Sequence, residues 1–321
     1  MALLDIKNLT VSFRTEHGRV LATDNVSLHI DKGETVGLVG ESGSGKSVTA
    51  MSILRLIPSP PGVIESGEAH FEGQDLLKLS LRDLRNVRGS GIAVIFQEPM
   101  TALSPLHRIG KQLAEGLHFH SDIDKRSALA TAHEWLGKVG IPDPDTCMQA
   151  YPYELSGGMR QRVMIAMALM LEPKLIIADE PTTALDVTVQ AQILELMRDM
   201  KSDDTSILLI THDMGVIWEM CDRVAVMYAS ELVETGDTKT LFDNAQHPYT
   251  QALLKAVPPA QGHQERLATI EGQVPSSIAY PQGCRFQERC DQAFAKCGQS
   301  HPKLFDTTQG QARCFLRDTH E

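Results

Sequence analysis

The sequence predicts an α/β fold built around a mainly parallel sheet. Two stretches carry this prediction. Residues 35–56 read as a short apolar strand, a glycine-rich loop and an apolar helix-compatible run. Residues 174–235 alternate between buried strands and helices, as in a mainly parallel sheet. Upstream of both, the first thirty residues read as antiparallel strands, with turn signals at His17-Gly18 and at Asp31-Lys32-Gly33.

The glycine-rich loop matches the phosphate-binding pattern G-x-x-x-x-G-K-[ST] without a gap. Its glycines keep Cβ atoms away from phosphates, and its backbone N–H groups can converge on an anion. The N-terminus of the following helix, which we expect from Val48 to Leu56, adds a partial positive charge. We therefore expect Lys46 to reach the β- and γ-phosphates of ATP and the Ser47 hydroxyl to bind Mg²⁺. The residues of the loop are Gly40, Glu41, Ser42, Gly43, Ser44, Gly45, Lys46 and Ser47.

A second apolar strand, at 175–178, ends in two carboxylates, Asp179 and Glu180. A continuous apolar run is typical of a central parallel strand. At the end of such a strand, Asp179 is placed to hold Mg²⁺ through water. Glu180 comes one residue later and should point in a different direction. We predict that it polarises the water that attacks the γ-phosphorus.

A third motif, Leu-Ser-Gly-Gly-Met-Arg-Gln-Arg at 155–162, reads as the start of a helix. Ser156 is placed as an N-cap, and Gly157 and Gly158 beside the helix start make a second anion-binding surface. This motif resembles the signature sequence of ABC transporter ATPases. The resemblance implies that the motif closes over the ATP of a partner subunit, so that two sites form in a head-to-tail dimer.

The same resemblance implies roles for four further positions. Gln97 is similar to the Q-loop glutamine, which contacts Mg²⁺ and the attacking water. Ala184-Leu185-Asp186 is similar to the D-loop, which crosses to the other nucleotide site. His212 is similar to the switch histidine at the γ-phosphate, and Phe13 to the aromatic residue that stacks on adenine. The sequence has the family's residue type at each of these positions.

Four of the six cysteines lie near the C-terminus, with the spacing C-x5-C-x6-C-x16-C. Cys147 and Cys221 stand apart and are expected to be buried small residues. A cluster of thiols in this sequence favours a metal site over disulfides. Four thiolates suit either a structural zinc or an iron–sulfur cluster, and the spacing matches neither common pattern. The four clustered residues are Cys284, Cys290, Cys297 and Cys314.

The tail narrows the resemblance to the ATPases of dipeptide, oligopeptide and nickel importers. The segment His247-Pro248-Tyr249-Thr250-Gln251-Ala252-Leu253-Leu254, the stretch from Arg266-Leu267 to Pro275 and the four cysteines carry it. This resemblance implies a [4Fe-4S] cluster on the cysteines, with zinc as the alternative. It leaves the cargo open among peptides, nickel and short oligosaccharides.

Composition limits the remaining possibilities. The net charge of −11 argues against a nucleic-acid-binding protein, which would carry a basic patch. We expect no signal peptide and no membrane span, because charges interrupt every apolar run. We expect an ATPase domain over 1–257, with a helical subdomain at about 98–170, and a linker at 258–262 that leads into a cysteine-bearing extension over 258–321.

Together these features predict the ATP-hydrolysing subunit of an ABC importer. We expect it to be a peripheral protein at the cytoplasmic face of the inner or plasma membrane. The family resemblance implies as partners two transmembrane permease subunits, a second ATPase subunit in a heterodimer, and a solute-binding protein. The alternative is a non-transport regulatory or redox-sensing ATPase. The intact Glu180 and His212 argue against a purely non-catalytic role.

Overall fold

A computed structural model describes residues 2–183, 186–257, 269–308 and 310–318. The chain divides into two compact units. The first unit is drawn from residues 1–78 and 211–321, and the second from residues 79–210. The linker predicted at 258–262 and the stretch 266–268 lie outside the described residues, so the predicted domain boundary at 257 stays a prediction.

The first unit contains an antiparallel sheet with the strand order β2-β1-β4-β5. The connections after β1 and β2 lie at 16–17 and 31–34, within one residue of the turns predicted at His17-Gly18 and Asp31-Lys32-Gly33. Leu4, Ile6, Leu9 and Val11 of the first strand are buried, which anchors the sheet on its core. The strands of this sheet are β1 (Leu4–Thr15), β2 (Gly18–Ile30), β4 (Gly62–Phe71) and β5 (Gln74–Asp75). The strand β3 (Thr35–Val39) follows β2 in the chain but belongs to the other sheet.

A second set of strands in this unit has the order β11-β12-β10-β9-β3. β3 runs parallel to β9, and β10 and β12 pair antiparallel to their neighbours. All five residues of β3 are buried. The other strands are β9 (Arg223–Tyr228), β10 (Glu231–Asp237), β11 (Phe305–Thr307) and β12 (Gly310–Ala312); the helices are α1 (Lys46–Ile53), α9 (Met214–Met220), α10 (Thr238–Asn244), α11 (Pro248–Lys255) and α12 (Ala295–Gln299).

The tail therefore packs as part of the first unit. The strand β12 pairs with β10, and β11 pairs with β12. The sequence did not predict β11 or β12, because each has only three residues. Phe286, from the cysteine-bearing segment, joins a buried cluster with Val39, Tyr228 and Tyr249. The hydrophobic core of this unit is continuous from the strand that precedes the phosphate loop to the C-terminal extension.

The second unit holds three parallel strands in the order β8-β7-β6. Its helices include the region predicted to be helical at 98–170, which forms α3 to α7 with a turn at 141–143. The strands are β6 (Ile92–Ile95), β7 (Leu175–Asp179) and β8 (Ser206–Thr211); the helices are α2 (Leu81–Val87), α3 (Pro99–Ala102), α4 (Ile109–His120), α5 (Lys125–Lys138), α6 (Pro144–Gln149), α7 (Gly157–Leu169) and α8 (Val187–Met200).

The predicted α/β class is confirmed, together with the antiparallel N-terminal sheet and the helical subdomain. Within the described part of the chain, no helix combines the length and the apolar character that crossing a bilayer requires.

Candidate functional site

The phosphate loop joins β3 to α1 in a conformation that requires glycine at two positions. Gly40 has φ +151°, and a Cβ there would lie 2.1 Å from the carbonyl oxygen of Met227. Gly45 has φ +100°, and a Cβ there would lie 2.1 Å from the carbonyl oxygen of Ala22. Backbone that approaches this closely leaves no room for a side chain. The two glycines thus fit the loop tightly between β2 and β9.

Lys46 is the first residue of α1 and is only 5% exposed. Its Nζ donates to the carbonyl oxygens of Gly40, at 2.7 Å, and Glu41, at 3.0 Å. Ser44 closes the loop, because its N–H donates to Glu41 and its carbonyl accepts from the N–H of Ser230. The ammonium group therefore lies against the first two residues of the loop, and the start of α1 beside it favours an anion.

Two further predicted residues lie in the same unit. Phe13 lies in β1 opposite Gly62, and a Cβ at Gly62 would be 3.1 Å from the Phe13 ring, which is half-buried. His212 is exposed directly after β8, and Asp213 caps the following helix α9 with hydrogen bonds to its first N–H groups. The adenine-stacking and γ-phosphate roles of these two residues stay predictions.

In the second unit, β7 ends as predicted. Asp179 is its last residue and is 5% exposed. Glu180 follows with φ +45°, a left-handed conformation that turns its side chain out of the strand's alternation. Its Oε2 accepts from the Gln97 amide at 3.1 Å and from the Thr183 hydroxyl at 2.8 Å. The structure thus brings Gln97 and Glu180 together, as a site for water activation requires.

Thr183 was missed by the sequence analysis. Its hydroxyl reaches Glu180 because residues 180–183 form a turn, in which the Thr183 N–H also donates to the Glu180 carbonyl at 3.2 Å. The available signal was a hydroxyl residue three positions after a candidate base, in the Glu-Pro-Thr-Thr sequence.

The Leu-Ser-Gly-Gly motif starts a helix as predicted. Ser156 is the N-cap of α7, and its Oγ accepts from the N–H of Met159 at 3.3 Å. Ser156 and Gly157 are exposed, and a Cβ at Gly157 would meet nothing within 4 Å. The positive end of a 13-residue helix is therefore accessible. Gly158 lies closer to its surroundings, because a Cβ there would be 3.2 Å from Val189.

The D-loop prediction falls partly outside the described residues, since 184 and 185 are not described. Asp186 caps α8 by accepting from the N–H of Val189 at 3.0 Å.

The four C-terminal cysteines are free thiols that line one small cavity together with apolar side chains. Burial, together with the neighbouring Cys297 and Cys314, raises the pKa of Cys284 to about 12. Burial also raises the pKa of Cys290 and of Cys314. Thiolates crowded in this cavity need a cationic partner to carry their charge.

No three of the four cysteine sulfurs lie within 4.8 Å of one another. Among the described residues, the only group of three or more ligand atoms within 4.8 Å of one another is Glu68, His70 and Asp75. A tetrahedral zinc would hold its thiolate sulfurs about 3.8 Å apart, given Zn–S bonds of about 2.3 Å. A cluster of several irons and sulfides would separate its thiolates further. The cavity is lined by Cys284, Cys290, Cys297, Cys314, His247, Pro248, Phe286, Gln287, Gln292, Phe315 and Leu316.

Comparison with known proteins decides the family. The family model described as ABC transporter matches residues 23–183, and the model described as oligopeptide/dipeptide transporter, C-terminal region, matches residues 233–297. The chain is 51% identical over 305 residues to the oligopeptide transport ATP-binding protein OppD of Bacillus subtilis (strain 168), covering 94% of this chain and 85% of that protein. The chain belongs to the ATP-binding subunits of ABC transporters.

This ABC ATPase has other similar relatives. It is 49% identical over 317 residues to the probable peptide ABC transporter ATP-binding protein y4tR of Sinorhizobium fredii (strain NBRC 101917 / NGR234), covering 98% of this chain and 95% of that protein. Among solved structures, it is similar to the ATP-binding cassette MJ0796 in a dimeric, post-hydrolysis state bound to ADP and Pi. The TM-score is 0.66 at 28% identity, over 73% of this chain and 98% of that one.

The two family matches contain most of the predicted site of this ABC ATPase. The first contains the phosphate loop, Gln97, the signature motif, Asp179 and Glu180. The second contains the first three clustered cysteines. Phe13, His212 and Cys314 lie outside both matches.

Proposed function

We propose that this ABC ATPase hydrolyses ATP to drive the import of di- or oligopeptides through partner membrane subunits. The observation that carries the proposal is that one chain matches both family models and is 51% identical to OppD over 94% of its length. The named relatives are peptide-transport proteins, and no observation favours a non-transport regulatory or redox-sensing ATPase.

In the proposed hydrolysis, Glu180 is the general base. The Gln97 amide and the Thr183 hydroxyl both donate to its Oε2, so they fix the carboxylate in one orientation. A carboxylate held in this way can accept a proton from the water that attacks the γ-phosphorus. Lys46 and the N–H groups of the loop bind the β- and γ-phosphates, and His212 contacts the γ-phosphate.

Ser47, Gln97 and Asp179 are the proposed Mg²⁺ ligands. Their hydroxyl, amide and carboxylate oxygens are the donors that this hard cation prefers, and the buried Asp179 at the end of β7 suits a bound cation. When bound, Mg²⁺ neutralises charge on the phosphates. The chain's own contribution is to hold these oxygens on rigid elements: Asp179 on a strand and Ser47 on the first turn of α1.

The cysteine cavity is proposed to hold a [4Fe-4S] cluster, with Cys284, Cys290, Cys297 and Cys314 as ligands. The assignment is supported by the four cysteines lining one cavity, and it is preferred to a single zinc because no three of their sulfurs lie within 4.8 Å of one another. A cluster supplies the positive charge that lets buried thiols ionise. Within the chain, the N–H of Cys284 donates to the Cys297 carbonyl at 2.8 Å, which ties two of the ligands together.

We propose that the working unit is a heterodimer with a second ATPase, bound to two permease subunits at the cytoplasmic face of the membrane and supplied by a solute-binding protein. The exposed N-terminus of α7 supports this, because it presents the signature motif to a partner. The dimeric state of the similar cassette MJ0796 supports pairing of two ATPase cassettes.

Co-expression with the membrane proteins encoded beside this chain tests the proposal. After detergent extraction, an affinity tag on this chain should recover two membrane subunits and a second ATPase. The Ser156→Arg variant is the matched control, since it should assemble equally well and hydrolyse poorly. Recovery of this chain alone from the membrane extract would contradict the proposed assembly.

A further inference from the structure

The C-terminal extension contacts the phosphate loop through one buried ion pair. Arg289, beside Cys290, donates from Nη1 to Oε2 of Glu41 at 2.8 Å and from Nη2 to Oε1 at 3.0 Å. This is a bidentate pair, the strongest arrangement of a guanidinium and a carboxylate. The Arg289 side chain is 5% exposed and that of Glu41 is 26% exposed. The pair therefore joins the second residue of the loop to the extension with little screening by water.

Glu41 is also held through its backbone. Its N–H donates to the hydroxyl of Tyr249 at 2.9 Å. Tyr249 is fully buried and packs against the rings of Tyr228 and Phe286, with ring centroids 4.6 and 5.4 Å away. Phe286 belongs to the extension. Side chain and main chain of Glu41 are thus both fixed by residues that follow β10 in the chain.

Arg289 is itself fixed before it reaches Glu41. Its Nε donates to the Glu271 carbonyl at 3.0 Å, and its Nη2 donates to the Ile270 carbonyl at 3.2 Å. Its Nη1 also donates to the Tyr228 hydroxyl at 3.3 Å. A planar guanidinium whose three nitrogens all donate hydrogen bonds is held in one orientation. The extension therefore presents a rigid cation to the loop.

The consequence falls on Lys46. The carbonyl of Glu41 accepts a hydrogen bond from the Lys46 ammonium, so the position of Glu41 affects the position of the phosphate-binding lysine. The Glu41 carboxylate also carries a negative charge beside a site built for phosphates. Arg289 neutralises that charge, which would otherwise repel the nucleotide.

We propose that Arg289 is a positioning residue of the phosphate loop, acting through Glu41, and that the C-terminal extension thereby sets the affinity of this subunit for the nucleotide phosphates. The proposal rests on nucleotide binding by the loop and is independent of the cargo that the transporter carries.

A double-mutant cycle on nucleotide affinity tests it, with mant-ADP and Mg²⁺ titrated into the full-length chain. Arg289→Gln should raise the Kd for mant-ADP roughly tenfold, because it leaves the carboxylate unpaired near the phosphates. Glu41→Gln should also raise the Kd, but less, because the amide can keep one hydrogen bond to Arg289. The double variant should bind no worse than Arg289→Gln alone, because both substitutions break the same pair. Arg289→Lys should fall between, since it keeps the charge and loses the bidentate geometry.

Arg313 provides the matched control. It immediately precedes Cys314, as Arg289 precedes Cys290. Its guanidinium donates to the carbonyls of Leu232 and Pro302 and pairs with Glu231, which lies outside the phosphate loop. Arg313→Gln should leave the Kd unchanged. The iron content of each variant, measured in the same preparation, separates loss of the loop contact from loss of a cluster.

In the assembled transporter, Arg289→Gln should raise KM for ATP more than it lowers kcat. An unchanged Kd for Arg289→Gln overturns the proposal. So does a double variant whose loss of affinity is the full sum of the two single losses in free energy, or an equal loss of affinity in Arg313→Gln at unchanged iron content.

Discussion

The side-chain amide of Gln97 donates a hydrogen bond of 3.1 Å to Oε2 of Glu180. The two residues are 83 positions apart, one after β6 and the other after β7, and these strands are parallel neighbours. Parallel strands bring their carboxyl ends to the same edge of a sheet, where open α/β proteins bind ligands. This contact therefore places a candidate base and a candidate water-binding amide together within one compact unit.

Replacing Glu180 with glutamine should abolish most hydrolysis and preserve nucleotide binding. The amide is nearly isosteric with the carboxylate but cannot accept the proton, so kcat should fall by about 10²–10⁴-fold. ATP-bound subunits should then accumulate as closed dimers, visible by size-exclusion chromatography. Glu172→Gln is the matched control, because Glu172 is an exposed residue of the same unit that shares the left-handed φ. Hydrolysis by Glu180→Gln at the wild-type rate in the assembled complex would refute the assignment.

Thr183→Val should lower kcat by roughly fivefold, the equivalent of about 1 kcal/mol for one lost hydrogen bond to the base. The Kd for nucleotide should stay the same, because the Thr183 hydroxyl contacts Glu180. Thr183→Ser retains the hydroxyl and should behave like the wild type. Steady-state kinetics on the three proteins distinguish this positioning role from a general loss of folding, which would lower the activity of both variants.

Lys46→Ala should weaken nucleotide binding itself by about 10–100-fold, since an ammonium–phosphate hydrogen bond is worth roughly 1.5–3 kcal/mol. Fluorescence titration with mant-ATP measures this directly. Lys32→Ala, which removes an exposed lysine from the turn before β3, serves as the control and should bind normally. Equal affinity in Lys46→Ala and Lys32→Ala would show that Lys46 does not contact the phosphates.

Anaerobically purified protein should be brown, with broad absorption at roughly 400 nm and about four irons and four acid-labile sulfides per chain, as a [4Fe-4S] cluster requires. Cys290→Ser should bleach the colour and leave the nucleotide core folded. Cys147→Ser, at a buried thiol in α6, should keep it. Metal analysis that finds one zinc per chain and no sulfide would support the zinc alternative.

The sequence predicts the local motifs of this protein well, because each motif is a short run whose chemistry depends on its own spacing. The phosphate loop, the strand that ends at Asp179 and the helix that begins after Ser156 all occur where their residues predict them. Their contacts could not be predicted as well. Arg289 lies 248 residues from Glu41, and in the loop pattern Glu41 occupies a position that any residue can fill.

The ends of elements show the same limit. The helix after the loop begins at Lys46 and ends at Ile53, whereas the apolar run predicted 48–56. The strands β11 and β12 have three residues each, too few for a periodic pattern, and tertiary pairing with β10 stabilises them. Long-range packing therefore determines these short strands, which sequence periodicity could not predict.

The stimulation of ATP hydrolysis by a peptide-loaded solute-binding protein tests the central claim most directly. The measurement compares the isolated subunit with the complex of two membrane subunits and a second ATPase in proteoliposomes, with and without the loaded binding protein. The account predicts weak hydrolysis by the isolated subunit, a rise on assembly and a further rise with the loaded binding protein, with all stimulation impaired by Ser156→Arg. Full hydrolysis by the isolated monomer, unchanged by the membrane subunits or by peptide, would contradict it.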